Sequence, residues 1–194
     1  MPTKKMLAIL ASPRKKGNIA KMLNHAMDVA KKKGYEVHFV SLYDQNIAYC
    51  KGCMRCKQTG SCHIQDDIKP IEALLKTCDI VVMAAPTYFA NIPAPAKNLF
   101  DRLVAVIMND NESMIPKPLL SKKQSYLLLT SCTTPFPFDR LAGQSTGALH
   151  AMKEFFKTSG MRHLGNVTFA GTKGKSEVPV SILNKIERKI PSLN

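Results

Sequence analysis

Long apolar runs are missing from these 194 residues: none approaches the roughly 20 that cross a bilayer as a helix, so no helical membrane span is expected. The opening MPTKKMLAILASPRKK has too short an apolar segment for a secretory leader and no small-residue cleavage site, which points to a cytoplasmic protein. Acidic side chains are scarce, 14 against 28 basic ones, and the formal net charge is +14. Such a surplus suits anionic partners, whether nucleic acid, a membrane surface or small anionic ligands. Aromatics are also few, at 7%, and the lysines are scattered. The stacking platforms and single basic face of a nucleic-acid binder are therefore poorly represented. Lys31, Lys32 and Lys33 instead close a predicted helix, where cations complement the dipole. Neither GxGxxG nor GxxxxGK[ST] occurs, which removes support for a Rossmann dinucleotide site and a Walker-type nucleotide site. No convincing Ser/His/Asp or Cys/His set for nucleophilic catalysis is present either.

What is present is an alternation of apolar runs and amphipathic segments, at 45% hydrophobic residues, with no repeat, linker or low-complexity tract. One domain over residues 1–194 is expected. Met6 to Ala11, the run from Asp79 (DIVVMAAP) and the run from Ser125 (SYLLLTSC) are apolar on both faces, as buried parallel strands are. YEVHFVSL from Tyr35 and VTFAGT from Val167 are more mixed and read as edge strands. Helical spacing groups Ile19, Met22, Leu23, Ala26, Met27 and Ala30 on one face, and Ala96, Leu99, Phe100, Leu103 and Val104 on another. Shorter segments around Ile68, Leu149 and Ile182 bring the helices to five. The stretch from Ala105 to Lys123 is less regular and reads as an excursion or a dimer contact. Strands alternating with helices imply a doubly wound α/β fold, five parallel strands with helices on both faces. In such sheets ligands sit beyond the carboxyl ends of the strands, so the loops after the first, third and fourth strands are the places to look.

SPRKKGNIA, Ser12 to Ala20, joins a buried strand to an amphipathic helix. A loop there aims backbone N–H groups and the positive end of the helix dipole at an anion, and Ser12, Arg14 and Asn18 add donors; a phosphate monoester would suit it. The alternative is that Ser12 and Asn18 shape the turn and cap the helix while Arg14 is solvated. PTYFANIPAPAKNLFDR, Pro86 to Arg102, sets Tyr88 and Phe89 at the end of a central strand. Their rings could wall a flat aromatic ligand whose polar edge meets backbone amides and Asn91, or could pack the loop against the core. Asp101 and Arg102 read as a structural pair or surface charges.

CKGCMRCKQTGSC holds four of the six cysteines, Cys50, Cys53, Cys56 and Cys62, within thirteen residues. In a reducing compartment such clustering means metal or redox chemistry rather than disulfides. The single compact run C-x2-C-x2-C-x5-C suits a four-iron four-sulfur cluster, with Gly52 and Gly60 easing the turns. Zinc, which usually draws ligand pairs from separated knuckles, is the competitor, and thiols holding no metal are a third possibility. His63 reads as a polar loop residue, Asp66 and Asp67 as helix caps, and Cys78 and Cys132 as buried thiols.

With these loops the sequence resembles the NAD(P)H-dependent FMN reductase and iron-sulfur flavoprotein group of the flavodoxin-like superfamily. The likeness runs through nearly the whole chain and rests on SPRKKGN, the cysteine run with DD beyond it, PTYFANIPAPAKNLFDR and SCTTPFPFDRLAGQSTGALHAMKEFFKTSG, in that order. It implies strand order 2-1-3-4-5, FMN as cofactor and NAD(P)H as co-substrate. It also implies that Ser12, Arg14, Gly17, Asn18 and Ile19 border the FMN phosphate. Pro86, Thr87, Tyr88, Phe89 and Asn91 would border the isoalloxazine, and Ser131, Cys132 and Thr133 would form a third loop beside it. Three positions depart from the pattern: Ile19 stands for a common Thr or Ser, Ala90 for a common Gly and Pro93 for a common Ser. The expected function is an FMN-dependent oxidoreductase passing electrons from NAD(P)H to a quinone, nitro compound, flavin or protein, as a homodimer or homotetramer. An iron-sulfur electron carrier is one alternative; a zinc-stabilised nucleic-acid-binding module is the alternative from another class.

Overall fold

The computed structural model describes residues 3–109 and 115–193. In chain order they form β1 (Lys5–Leu10), α1 (Asn18–Lys32), β2 (Glu36–Ser41), a 3-10 turn at Leu42–Asp44, α2 (Cys56–Thr59), α3 (Ile68–Thr77) and β3 (Ile80–Pro86). There follow α4 (Ala94–Arg102), α5 (Val104–Ile107), β4 (Met108–Asn109), β5 (Lys117–Pro118), β6 (Ser125–Ser131), α6 (Phe138–Leu141), α7 (Gln144–Thr158), β7 (Arg162–Phe169) and α8 (Val180–Glu187). The main sheet has the order β2-β1-β3-β6-β7 and all its pairings are parallel. Counting only its five strands, this is the expected 2-1-3-4-5.

The alternation of side chains along the central strands divides the core in two. Leu7, Ile9, Val81, Met83, Tyr126 and Leu128 pack with α3, α4 and α7 on one face. Met6, Ala8, Leu10, Val82, Ala84, Leu127 and Leu129 pack with α1 and α8 on the other. Because both faces are covered, β1, β3 and β6 are buried along nearly their whole length, which is why they read as unbroken apolar runs. Burying one such Leu or Ile side chain stabilises the fold by about 1.5–3 kcal/mol.

One expectation is corrected here, and another is filled in. The last strand begins at Arg162, five residues before the apolar VTF that marked it, because the edge strand is only partly buried and Arg162–Asn166 carry little apolar pattern. The irregular stretch from Ala105 contains a short antiparallel ladder, β4 with β5, tied down where Leu120 N–H donates to Ser159 O at 3.0 Å; residues 110–114 of that stretch lie outside the described residues. Among the described residues no helix is long and apolar enough to cross a membrane. Since the five strands are parallel, the loops after β1, β2, β3, β6 and β7 all leave from one end of the sheet. The cysteine segment follows β2 and so shares that end with the other candidate loops.

Candidate functional site

At that end the backbone leaves β1 through Ser12, which is buried and accepts the Arg14 N–H on its Oγ at 3.2 Å. The chain then enters α1 from Gly17, and no side chain caps the helix. Its first N–H groups therefore face outward with the positive end of the dipole behind them. A cavity of about 510 Å³ opens in front of this turn, lined among others by Arg14, Lys16, Lys21, Thr133, Lys173 and Lys175. The turn-shaping role weighed for Ser12 is present, but the capping role weighed for Asn18 is not. Asn18 Nδ2 instead donates to Lys175 O at 2.9 Å, lashing the loop after β7 onto α1. Ile19 puts its side chain into the core and offers the cavity only backbone. Lys173 and Lys175 come from the loop after β7, outside the three strand-end loops the sequence pointed to; the basic KGK a few residues past the last strand is their signal.

Thr87 N–H donates to Ser131 O at 2.9 Å, so the loops after β3 and β6 leave the sheet side by side. Beyond Thr87, Tyr88 and Asn91 exchange both backbone hydrogen bonds, at 2.8 and 3.0 Å, around a two-residue turn. Phe89 and Ala90 at its tip have φ of 50° and 58°. Left-handed backbone at two non-glycine residues costs about 1–2 kcal/mol each, a strain of the kind that collects at ligand sites. Ala90 thus stands in the left-handed region that favours Gly. The core-packing alternative for these aromatics fails: Phe89 is 100% exposed and Tyr88 43%, so both rings stand free at the sheet end. Asn91 spends its Oδ1 on the Ile92 N–H at 2.8 Å. The turn rests on α7, where a Cβ added at Gly147 would collide with Ala90 O. Cys132 is buried, with its Sγ donating to Thr134 O at 3.4 Å and its thiol pushed up by burial and by Asp139. Thr133 next to it is exposed. Pro86 and Thr87 are partly buried between these loops.

The cysteine segment wraps one cavity of about 160 Å³ to which Cys50, Cys53, Cys56 and Cys62 all contribute wall, together with Met54, Ile64 and Arg102. Gly52 and Gly60 take φ of 62° and 70° in the turns of this wrap, as their place in the spacing implied. Burial and then the neighbouring Cys62, Cys50 and Cys53 push the Cys56 thiol up. His63 Nδ1 lies 3.7 Å from Cys53 Sγ. Among the described residues no three such side chains are gathered closely enough to hold a single metal ion. One tetrahedral zinc needs its sulfurs within about 2.3 Å of a common point. A four-iron four-sulfur cube takes each cysteine on a different iron and so needs its sulfurs more widely spaced; Cys50, Cys53, Cys56 and Cys62 are the four thiols this cavity offers.

Two expectations about charge are corrected at this cavity. Arg102 is neither a surface charge nor the partner of Asp101, which pairs with Lys97. Its side chain is 0% exposed and meets Asp66 through Nη1 at 2.8 Å and Nη2 at 3.1 Å. Asp66 does cap α3, accepting the Ile68 N–H at 3.1 Å, while Asp67 accepts the Asn46 N–H at 2.6 Å and caps nothing. Burial opposes charge on Asp66, but Arg102 and the N–H groups of Ala48 and Ile68 outweigh it and hold the carboxyl below its ordinary value. The sequence signal for Arg102 was its i,i+4 spacing from Asn98. Both are buried on the same side of α4, and both reach the backbone at Ala48, Asn98 Nδ2 at 3.4 Å and Arg102 Nη1 at 2.5 Å.

A parallel sheet of this order, with an uncapped helix start, a raised aromatic turn and a third loop meeting at its carboxyl end, defines a flavodoxin-like protein. The chain belongs to the NADPH-dependent FMN reductase family, whose model matches residues 4–175. It is 38% identical over 100 residues to an iron-sulfur flavoprotein of Archaeoglobus fulgidus, covering 52% of this chain and 46% of that one. An iron-sulfur flavoprotein of Methanosarcina thermophila is 39% identical over 100 residues, 52% of each chain. The chain thus spans about half the length of these curated relatives. Among solved structures, an FMN-dependent NADH-azoreductase of Bacillus anthracis in complex with FMN superposes with a TM-score of 0.72 at 16% identity, over 96% of this chain and 95% of that one.

Proposed function

We propose that the chain is an FMN-dependent oxidoreductase that takes electrons from NAD(P)H and passes them to a quinone, nitro compound, flavin or protein acceptor. The observation that carries this reading is the uncapped start of α1 opening on a cation-lined cavity beside the exposed Tyr88–Phe89 turn. Family membership supports it independently. FMN, when bound, supplies the hydride and electron-transfer chemistry. The chain's task is binding and orientation. N–H groups from Asn18 onward, with Arg14, would hold the phosphate, helped by Lys173 and Lys175. Tyr88 and Phe89 would cover the ring, and backbone amides near Tyr88 and Thr133 would meet its polar edge and steady negative charge there. Pro86, Thr87, Asn91, Ser131 and Cys132 would shape the walls.

A second reading is favoured by the four thiols on one cavity: Cys50, Cys53, Cys56 and Cys62 would hold a four-iron four-sulfur cluster, making the protein an electron-carrying flavoprotein. A cluster supplies one-electron chemistry. Both relatives described above are iron-sulfur flavoproteins, which agrees with it. A homodimer or homotetramer would cover the exposed rings of Tyr88, Phe89, Phe136 and Phe138. Cytoplasmic, reducing surroundings would keep the six cysteines out of disulfides.

The test is to purify the protein without oxygen and record its visible spectrum. Flavin bands, with FMN released on denaturation, support the main reading; a colourless protein that takes up no added FMN sinks it. A brown shoulder bleached by dithionite, with iron and sulfide by assay, supports the cluster. Cys53→Ser should remove the shoulder and leave FMN bound.

A further inference from the structure

Arg102, the last residue of α4, is a wholly buried cation with all five of its N–H donors engaged. Nη1 donates to Ala48 O at 2.5 Å and Asp66 Oδ2 at 2.8 Å; Nη2 donates to Ile64 O at 3.4 Å and Asp66 Oδ1 at 3.1 Å. The two-pronged contact with Asp66 already neutralises the charge. A buried N–H left over from that pair must still find an acceptor, and the one the fold supplies here is a sulfur. The fifth donor, Nε–H, goes to Cys62 Sγ at 3.2 Å. Cys62 is held at its main chain as well, since Lys69 Nζ donates to its carbonyl at 2.5 Å. Cys50 and Cys53, by contrast, are exposed, and the nearest partner of Cys53 is His63 at 3.7 Å.

We infer that Arg102 is a positioning residue for the cysteine centre, fixing Cys62 as its pre-set sulfur and tuning the centre's reduction potential through the Nε–H···Sγ hydrogen bond. The inference rests on the iron-sulfur reading given above. A donor on a ligand sulfur, backed by a guanidinium, favours the state carrying one more electron, because added charge is shared onto the sulfurs. Arg102 therefore makes the centre easier to reduce, in the direction useful to a carrier drawing electrons from a flavin in the same chain. The same helix begins just past the Tyr88–Asn91 turn, so α4 joins the supports of both candidate sites.

The test uses the whole protein, reconstituted anaerobically with ferrous iron and sulfide, and compares wild type with Arg102→Lys and with the double variant Asp66→Asn/Arg102→Met. Lysine keeps the charge but cannot serve the carboxylate fork and the sulfur together. The double variant removes both charges, so neither is left buried alone if the single variant folds poorly. Iron, FMN content and the midpoint potential from an EPR-monitored titration are measured. The expected result is full iron and FMN with the midpoint shifted to more negative values, further in the double variant than in Arg102→Lys. An unchanged midpoint in fully loaded variants overturns the role of Arg102 alone. Wild-type protein that takes up no iron and sulfide overturns the cluster reading and this inference with it, and is recognised because the failure precedes any substitution.

Discussion

Asp66 and Arg102 make up a buried pair whose partners cannot be removed singly without cost. Asp66→Ala should destabilise the chain by about 3–5 kcal/mol, because it leaves the guanidinium buried and uncompensated, whereas Asp66→Asn/Arg102→Met should cost much less. Urea denaturation of the cofactor-free protein reads both, and equal losses would show that the charges are not the issue. The same pair sets part of the acid limb of stability. The Asp66 carboxyl is held below its ordinary value, and so is Glu72, where burial is outweighed by Lys76, Ser61 and Lys69. A carboxyl with a lower pKa folded than unfolded takes up protons more readily when unfolded. Its stabilisation is therefore complete above the ordinary carboxylate range and drains away as pH falls through the lowered values. Unfolding free energy measured from pH 7 downward should hold level and then fall below about pH 5, and Asp66→Asn should flatten that fall.

Gly147 shows how one helix carries a functional loop. α7 gains helix propensity from any Gly→Ala change, worth up to about 1 kcal/mol, yet here the new methyl would strike Ala90 O. Overpacking against backbone costs about 1–3 kcal/mol, so Gly147→Ala should lower stability despite the propensity gain. It should also weaken FMN binding, because the Tyr88–Asn91 turn that raises Phe89 must move. A fluorescence titration with FMN beside a urea melt checks both, and a stabilised variant of unchanged affinity would show that the turn does not depend on α7. Helix α4 works similarly in the other direction, holding the backbone at Ala48 and the sulfur of Cys62 from Asn98 and Arg102. The spacing of Asn98 and Arg102 marks a shared face but not its partners, and a Gly in the first turn of α7 looks like an exception until the partner loop is in place.

For the molecule as a whole, the proposed cofactor site, assembled from loops after β1, β3, β6 and β7, exists only when the sheet is formed. FMN should bind the native state and not the unfolded one. At a free concentration 100 times its dissociation constant it should then add about 2.7 kcal/mol to stability. At this chain length that corresponds to a rise in melting temperature of about 5–10 °C. Riboflavin, lacking the phosphate, should give a smaller rise, and an FMN-insensitive melt would count against the site.

The fold was largely legible in the chain, because three strands buried on both faces must be continuously apolar and two amphipathic helices must show their stripe. The order of the sheet and the loops to inspect came from the motif resemblance and from the rule that ligands gather at the carboxyl ends of strands. The edge strand starts earlier than its apolar core, being half-solvated and weakly patterned, and the short β4–β5 ladder carries no strand signal. The cysteine spacing likewise announced a redox or metal loop without saying how it is held. Packing in three dimensions brought what no spacing contains: Lys173 and Lys175 folded over α1, Phe89 pushed out by a strained turn, and Arg102 buried against Asp66 with one donor left for sulfur. Those features depend on contacts between segments 36 to 157 residues apart, as in Arg102 with Asp66 and Asn18 with Lys175. Local pattern governs which elements form; the partners of a buried charge or a loop are set by where the sheet delivers them.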